Sequence, residues 1–421
     1  MTLVERSHRE DVLALTRRHV SSGIARLASL MNSPVEVRSA GAYVWDSEGT
    51  RYLDCGGYGV FFTGHCHPRI VAAARAQLET HPMATRVLLN GALATAAATL
   101  ASVTPAGLDQ IVFANSGAEA AEIALKLARL HGRTRVISMH GGYHGKTLGA
   151  LSVTGRPHYR ERFLPLLPDV TFVQFGDAEA LRQELSTRGA ETCVILEPVQ
   201  AEAGVHLPPR GYLSDVAAEC RAAGALLIAD EVQSGMGRTG TWWACDAEDV
   251  IPDVMMIGKS LGGGVMPVSA VAASSAIMKP LSADPVLHSS TFAGNPLAMA
   301  AVRATIEVVR EEGLVERARI TGAYLLDGVR RAVAALRPDV VTDVRGAGLL
   351  IGIELATEAL AGQLMLELLS RHVIVSHSLN AHRTVRLTPP AILDGTDCDL
   401  LLEALRSSLA ALAPTQIKET R

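Results

Sequence analysis

The sequence predicts an α/β fold: a large domain around a mostly parallel sheet, joined by a smaller α+β domain assembled from both termini. Three observations carry that expectation. Short apolar β-rich runs alternate with Ala/Leu-rich helical patterns through the middle of the chain, the signature of βαβ units. The flanks change character, with extended pieces before the central region and helices mixed with extended runs after it. With 421 residues, 48% hydrophobic and 19% charged, the chain can bury a large core divided into two or three lobes.

In chain order, residues 31–64 hold short extended pieces such as AYVWDSEGTRYLDC, and residues 1–70 are assigned to the smaller domain. QIVFAN (110–115), RVISM (135–139), CVILEP (193–198), ALLIADE (225–231) and VMMIGK (254–259) read as buried strands of the large domain, residues 71–312. Between them AEAAEIALKLARLHG, DAEALRQELSTRG and YLSDVAAECRAAG are apolar at helical spacing and end at glycine, a helix stop. From 313 to 421 helices surround VVTDVRGAGLLIGIEL, HVIVS and TVRLTPP, which completes the smaller domain with the two ends of the chain meeting in space. No internal repeat or low-complexity linker interrupts the pattern.

Composition excludes several functions. A net charge of −4 without any run of Lys or Arg offers no stripe for phosphate backbones, so nucleic acid is not an expected partner. The six cysteines Cys55, Cys66, Cys193, Cys220, Cys245 and Cys398 never form a C-x-x-C pair, which fits a reducing cytoplasm. The opening MTLVERSHRE lacks an apolar signal core, and no uncharged apolar run reaches membrane-spanning length, so a cytoplasmic protein without a membrane partner is expected. GHCHP (64–68) offers two histidines and a cysteine without further identifiable ligands, so no metal site is expected. Trp242 and Trp243 read as packing residues, Glu197 and Glu231 as structural supports.

Three segments carry chemistry. FANSGAEAAEIALKLAR runs from strand into helix, so the Ser116 hydroxyl and the first helical N–H groups face one spot at the positive end of the helix dipole, suited to a phosphate. Read singly, Ser116 is more simply an ordinary helix cap than a phosphate ligand. LLIADEVQSGMGRTG ends a strand with Asp230 and Glu231, at the sheet edge where open α/β folds bind ligands, although helix caps explain such acids too. VMMIGKSLGGG puts Lys259 at the end of an apolar strand, and a desolvated amine there suits Schiff-base chemistry. Its order, lysine before glycines, is the reverse of a nucleotide-binding P-loop. A phosphate cradle, an acid and a lysine at successive strand ends are together the minimum set for pyridoxal 5'-phosphate.

From about Gly41 to its end the chain resembles a class III (omega) aminotransferase of fold type I, a pyridoxal-phosphate-dependent transferase. The resemblance rests on GAYVWDSEGTRYLD, GHCHPRI, NSGAEA, YHGKTLGALS, EPVQAEAGV, ADEVQSGMGRTG, GKSLGGG, STFAGNPLA and VRGAGLLIGIEL. Within the class it is most similar to bacterial putrescine (diamine) aminotransferases, through CGGYGVFFTGH, GGGVMPVSA, LHSSTFAGNP and SLNAHRTVRLTPP, with ornithine or other omega-amino-acid aminotransferases as the alternative.

That resemblance implies a role for each matching residue. Lys259 would carry the cofactor covalently and move the proton, Asp230 would pair with the pyridine nitrogen and Gln233 with the ring hydroxyl. Tyr143 would stack on the ring, with His144 and Gly145 beside it. Ser116, Gly117 and Ala118 would line the phosphate site, Ala118 standing where the family commonly has a hydroxyl-bearing Thr. Ala201 stands where glycine is usual. Thr291 of STFAGNP would reach the phosphate of a neighbouring subunit, making the active unit a homodimer or a tetramer built from dimers. Arg386 would bind the keto-acid carboxylate, Glu202 would neutralise it while an amine donor is bound, and Tyr58 would line the substrate side. The substrates implied are a terminal amine, most simply a diamine, and a keto acid such as 2-oxoglutarate or pyruvate. A pyridoxal-phosphate-binding protein that has lost catalysis is the alternative from another class, opposed by the joint presence of Lys259, Asp230, Gln233 and Arg386.

Overall fold

Strands at both ends of the chain meet in one small sheet. A computed structural model describes residues 8–85 and 87–413. After three short N-terminal helical segments come β1 (Glu36–Ala40), β2 (Tyr43–Asp46) and β3 (Arg51–Asp54). The central region supplies β4 (Gln110–Ala114), β5 (Arg135–Met139), β6 (Val170–Val173), β7 (Thr192–Leu196), β8 (Leu226–Asp230), β9 (Val254–Ile257) and β10 (Ser269–Ala273). These form a seven-stranded sheet in the order β4-β10-β9-β8-β7-β5-β6. Pairing is parallel except at β10, which runs antiparallel to both β4 and β9.

The C-terminal region adds β11 (Val341–Ala347), β12 (Leu350–Leu355), β13 (Val373–Ile374), β14 (Ser376–Ser378) and β15 (Ala381–Leu387). Of these, β13 leaves its neighbours and pairs parallel with β3, giving the sheet β1-β2-β3-β13, while β11-β12-β15-β14 forms a third sheet.

The five strands expected in the centre are present, and the structure adds β6 and β10. SAVAA in β10 escaped notice because three alanines give no β-propensity signal; it is a strand because both its edges are paired and every residue is buried. The helices expected to stop at glycine occupy Gly117–Leu130, Ala178–Arg188 and Tyr212–Ala223. Gly132 and Gly224 take positive φ of 74° and 69° after the first and third. Gly189 instead continues into a 3₁₀ turn with φ of −53°.

Layers of apolar residues cover both faces of the central sheet. Helix Gly117–Leu130 buries Ala120, Ile123, Ala124 and Leu127 against one face, with β-strand residues Ile195, Ile228 and Met256. Helix Pro296–Glu311 covers the other face near Met255 and Ile257 through Met299, Val302 and Ile306. The largest apolar cluster joins the long helix Leu314–Leu336 to β12, β15 and the last helix, Gly395–Ala411.

Close backbone approach fixes the long helix. A Cβ on Gly322 would lie 2.1 Å from the Gly348 carbonyl oxygen in the β11–β12 turn. By contrast Gly362, in helix Glu358–Ser370, has open space where a Cβ would be. Gly322→Ala is therefore expected to destabilise the chain by about 1–3 kcal/mol through overpacking. Gly362→Ala should stabilise it by roughly 0.4–1 kcal/mol through reduced freedom of the unfolded chain. Opposite shifts of the urea midpoint in the two variants check both expectations.

Candidate active site

The carboxyl ends of the parallel strands converge on a cavity of about 770 Å³. Such a convergence is where open α/β sheets present their loops to a ligand. Asn115, Ser116, Gly117 and Ala118 follow β4, Tyr143 and His144 follow β5, Glu197 and Glu202 follow β7, Asp230 closes β8, and Lys259 lies just beyond β9; all line the cavity.

At one end is the start of helix Gly117–Leu130. The Ser116 hydroxyl accepts from Glu119 N at 3.2 Å, so it does cap the helix, and its own proton remains available to an anion. A Cβ on Gly117 would meet the Val232 side chain at 3.1 Å, which explains why this turn can lie so close to the cavity wall. Asn115 spans two segments, donating from Nδ2 to Glu119 Oε2 at 2.8 Å and to Ser290 Oγ at 2.9 Å.

At the centre Asp230 is held from two sides. Its Oδ2 lies 2.7 Å from His144 Nδ1 and its Oδ1 accepts from Val232 N at 3.1 Å. The ring Nε2 of His144 and both amide atoms of Gln233 are buried without hydrogen-bond partners among the described residues. A buried amide with neither donor nor acceptor paired costs a few kcal/mol, so Gln233 is suited to a polar ligand in the cavity. Glu197 accepts from Tyr143 N at 2.8 Å, fixing the aromatic ring's backbone. Burial pushes the Glu197 carboxyl well above the usual carboxylate range, and nearby Asp230 adds to the rise. Burial likewise raises the Tyr143 hydroxyl to about 12, so it stays protonated.

Lys259 has an unusual backbone: its φ is +44°, in the left-handed region that non-glycine residues avoid. The strain is held by what surrounds it. Gly258 is pressed against Val232, and Leu261 N donates back to the Gly258 carbonyl at 3.0 Å, locking the 3₁₀ turn Lys259–Gly262. Burial lowers the lysine's pKa, with Arg386 acting in the same direction and Glu202 and Asp230 opposing it.

At the far end Glu202 and Arg386 form a buried ion pair, Oε1 to Nη1 at 2.7 Å. Among the described residues Glu202 is the group that meets the guanidinium, whose three nitrogens have no other hydrogen-bond partner. Glu202 Oε2 also accepts from Leu379 N at 2.8 Å. Burial would raise the Glu202 carboxyl, but Arg386 and then Lys259 outweigh it and hold the group below its ordinary value.

Three sequence-predicted residues do not line the cavity. Arg386 is fully buried and meets the cavity only through its contact with Glu202, which does line it. Tyr58 is exposed with φ of +51° and does not line the cavity; Val60 and Phe61 from the same segment do. Thr291 is exposed on its own chain and does not line that chain's cavity. Glu231, expected as a support, faces away from the cavity, accepting from the Ser234 hydroxyl and from Cys245 N. Trp243 is buried and donates to the Val103 carbonyl at 2.6 Å. In the GHCHP turn His65 pairs with Asp54 at 2.8 Å, and among the described residues no group of three potential ligands could hold a metal. Sequence reasoning missed the cavity-facing position of Glu197; its place at the end of β7, beside the strand that ends in Asp230, was the available signal.

The model of the aminotransferase class-III family matches residues 28–409, and the chain belongs to that family. Among solved structures it is similar to the ornithine aminotransferase of Toxoplasma gondii, with a TM-score of 0.90 and 31% identity over 97% of this chain and 96% of that one. An (S)-enantioselective omega-transaminase from Thermomicrobium roseum superposes with a TM-score of 0.88 and 31% identity, covering 96% and 99% of the two chains. The acetylornithine aminotransferase of Elizabethkingia anophelis gives a TM-score of 0.82 and 30% identity, again over 96% and 99%. The protein is thus a fold type I transaminase dependent on pyridoxal 5'-phosphate. The cavity fits that cofactor: a helix N-terminus for its phosphate, an unpartnered Gln233 amide, and an acid and an amine on adjacent strands. No helix among the described residues is long and apolar enough to cross a membrane.

The whole sequence contains five lysines, Lys126, Lys146, Lys259, Lys279 and Lys418. Because burial favours its neutral form, Lys259 should capture the aldehyde of pyridoxal 5'-phosphate with a pH midpoint below the ordinary 10.5 of a lysine. Borohydride fixation of the reconstituted chain at a series of pH values, with peptide mapping, measures this. A midpoint at or above that of a short lysine peptide would contradict it.

Proposed function

We propose that the enzyme moves the terminal amino group of a diamine, of the putrescine or cadaverine kind, to a keto acid such as 2-oxoglutarate or pyruvate. The carrying observation is the Glu202–Arg386 pair at 2.7 Å. A buried arginine is the group that recognises a carboxylate bidentately, whereas an amine end without a carboxylate is repelled by a bare guanidinium. With Glu202 on it, Arg386 is neutralised and the cavity accepts the amine; with Glu202 turned aside, the same fork takes the acceptor's carboxylate. One cavity then serves two substrates of opposite charge in turn. The similarity to ornithine aminotransferases supports a second reading, in which the donor is an omega-amino acid.

In this reading Lys259 would hold the cofactor, and its Nζ would be the base that accepts the proton from the reacting carbon of the donor. Asp230, with oxygens fixed by His144 and Val232, favours a protonated ring nitrogen opposite it. Gln233 supplies the amide for the ring hydroxyl, Tyr143 an aromatic face, and Ser116, Gly117 and Ala118 the phosphate cradle. When bound, the cofactor supplies the sink for the electron pair released as the donor's C–H bond breaks.

The active unit in this reading is a homodimer in which Thr291 completes the partner's phosphate site. Val87, Leu88 and Leu89 are exposed on one segment and Val286, Leu287 and Phe292 on another. Asn90 Nδ2 ties the two segments by donating to the Gly294 carbonyl at 3.1 Å. An apolar patch of this kind beside Thr291 supports coverage by a second copy.

Two experiments test the reading. Arg386→Ala should slow the keto-acid half-reaction by roughly 10²-fold while the diamine half-reaction changes far less. Single-turnover absorbance with putrescine, cadaverine and ornithine separates the halves and ranks the donors; equal damage to both would make Arg386 structural, and preference for ornithine would favour the second reading. For the interface, Thr291→Ala homodimers should bind cofactor about 10-fold to 150-fold more weakly, the loss of one charge-assisted hydrogen bond. A mixed dimer of Thr291→Ala with Lys259→Ala chains places its lysine-competent site opposite an intact threonine. Near wild-type affinity is expected there; the weakened homodimer value would mean that Thr291 acts within its own subunit.

A further inference from the structure

The loop that carries Glu202 is gripped at two points by one row of the third sheet. Register pairs Arg345 of β11 with Gly352 of β12, and Gly352 with Arg386 of β15. Residues directly opposite across antiparallel strands share a face, so the two arginines project from the same side, two strands or about 10 Å apart. Gly352 between them lets the loop lie down: a Cβ there would come within 3.0 Å of both the Gly204 carbonyl oxygen and Val205 Cβ.

On this face Arg386 meets the carboxylate of Glu202, and Arg345 Nε donates to the Gly204 carbonyl at 2.8 Å. Arg345 is itself braced, since its Nη1 reaches Asp343 Oδ2 and Glu354 Oε2, each at 2.7 Å. The loop needs such a hold. It closes through the antiparallel bridge Gln200–His206, and at its tip the β-branched Val205 holds a φ of +60°, a strained conformation that packing must maintain.

We propose that Arg345 is a positioning residue for substrate alternation: by anchoring the Gly204 carbonyl it fixes the backbone from which Glu202 reaches Arg386. This rests on the reading of Glu202 and Arg386 as the pair that admits amine and keto acid in turn. Glu202 changes partner by side-chain rotation, and the rotation returns it to Arg386 only if its backbone stays in register with β15. Loosening the anchor leaves Arg386 less fully neutralised when the cationic donor arrives. The keto acid, which takes Arg386 for itself, depends on the anchor far less.

The test uses the holoenzyme and half-reaction kinetics with a diamine and with 2-oxoglutarate. In Arg345→Lys the ammonium can still pair with Glu354 and Asp343, but it lacks the planar fork that spans those acids and the Gly204 carbonyl together. It should raise the half-saturating diamine concentration about 10-fold, leave the maximal rate within about 3-fold, and shift the 2-oxoglutarate constant little. Adding Arg345→Lys to Glu202→Ala should bring no further change, because Arg345 acts through Glu202.

A wild-type diamine constant in Arg345→Lys, full additivity in the double variant, or equal loss in both half-reactions would overturn the proposal. If Glu202→Ala itself leaves the diamine half-reaction unchanged, the alternating pair is refuted and the role of Arg345 falls with it; a change in Glu202→Ala without one in Arg345→Lys refutes Arg345 alone.

Discussion

A buried arginine with its counter-charge on a loop from another sheet is the constraint around which the site is organised. Arg386 is fully buried on β15, and among the described residues the acid that neutralises it is Glu202, beyond the end of β7 in the central sheet. Removing one partner from a buried pair leaves an uncompensated charge in a poor solvent, at a penalty of several kcal/mol. The third sheet and the β7 loop must therefore meet where they do, and the far wall of the cavity is set by that meeting. Ser378 Oγ and Asn380 N, donating to the Ala201 and Glu202 carbonyls at 3.0 and 2.8 Å, reinforce the seam with neutral bonds.

Within the cavity, charge is graded from one end to the other. The helix N-terminus and Ser116 favour negative charge at one end. In the middle Asp230 is held between His144 and a backbone amide, while Glu197 is kept near neutral by burial. Asp230 thus has a hydrogen-bond partner on each oxygen, whereas for Glu197 burial is the dominant influence. Lys259 lies between this region and the Glu202–Arg386 pair, which is why its amine responds to both. Such placement suits an amine that must exchange a proton near neutral pH.

The backbone contributes as much as the side chains. Lys259, Gly204 and Val205 all hold positive φ, and each lies at or next to a group that the proposed chemistry uses. At Lys259 and Val205, where a side chain makes positive φ costly, the strain persists because the surroundings over-determine it: β9 and the 3₁₀ turn around Lys259, the third sheet beneath Val205. Glycines at close approaches serve the same end. Gly117 and Gly258 both abut Val232, bringing the turn after Ser116 and the turn at Lys259 against one side chain.

Much of this was legible in the sequence, for local reasons. Five central strands, the helices that end in glycine, and the residues at strand ends follow from periodicity and from turn chemistry, which act over a few neighbours. Lys259, Asp230 and Ser116 could be read because each directly follows or closes an apolar run that must be a strand. Burial on both edges, which no propensity reports, made a strand of the alanine-rich β10. Tyr58 sits near cavity-lining neighbours in sequence, yet the turn at positive φ directs it outward. The contact between Glu202 and Arg386, the brace of Arg345 on Gly204 and the cavity-facing position of Glu197 join segments far apart in the chain or depend on strand order. The sequence alone determined which chemical groups are present and which elements carry them. Only the packing of one sheet against the loops of another decided which of those groups touch, because a buried charge takes its partner from whatever the tertiary fold brings beside it.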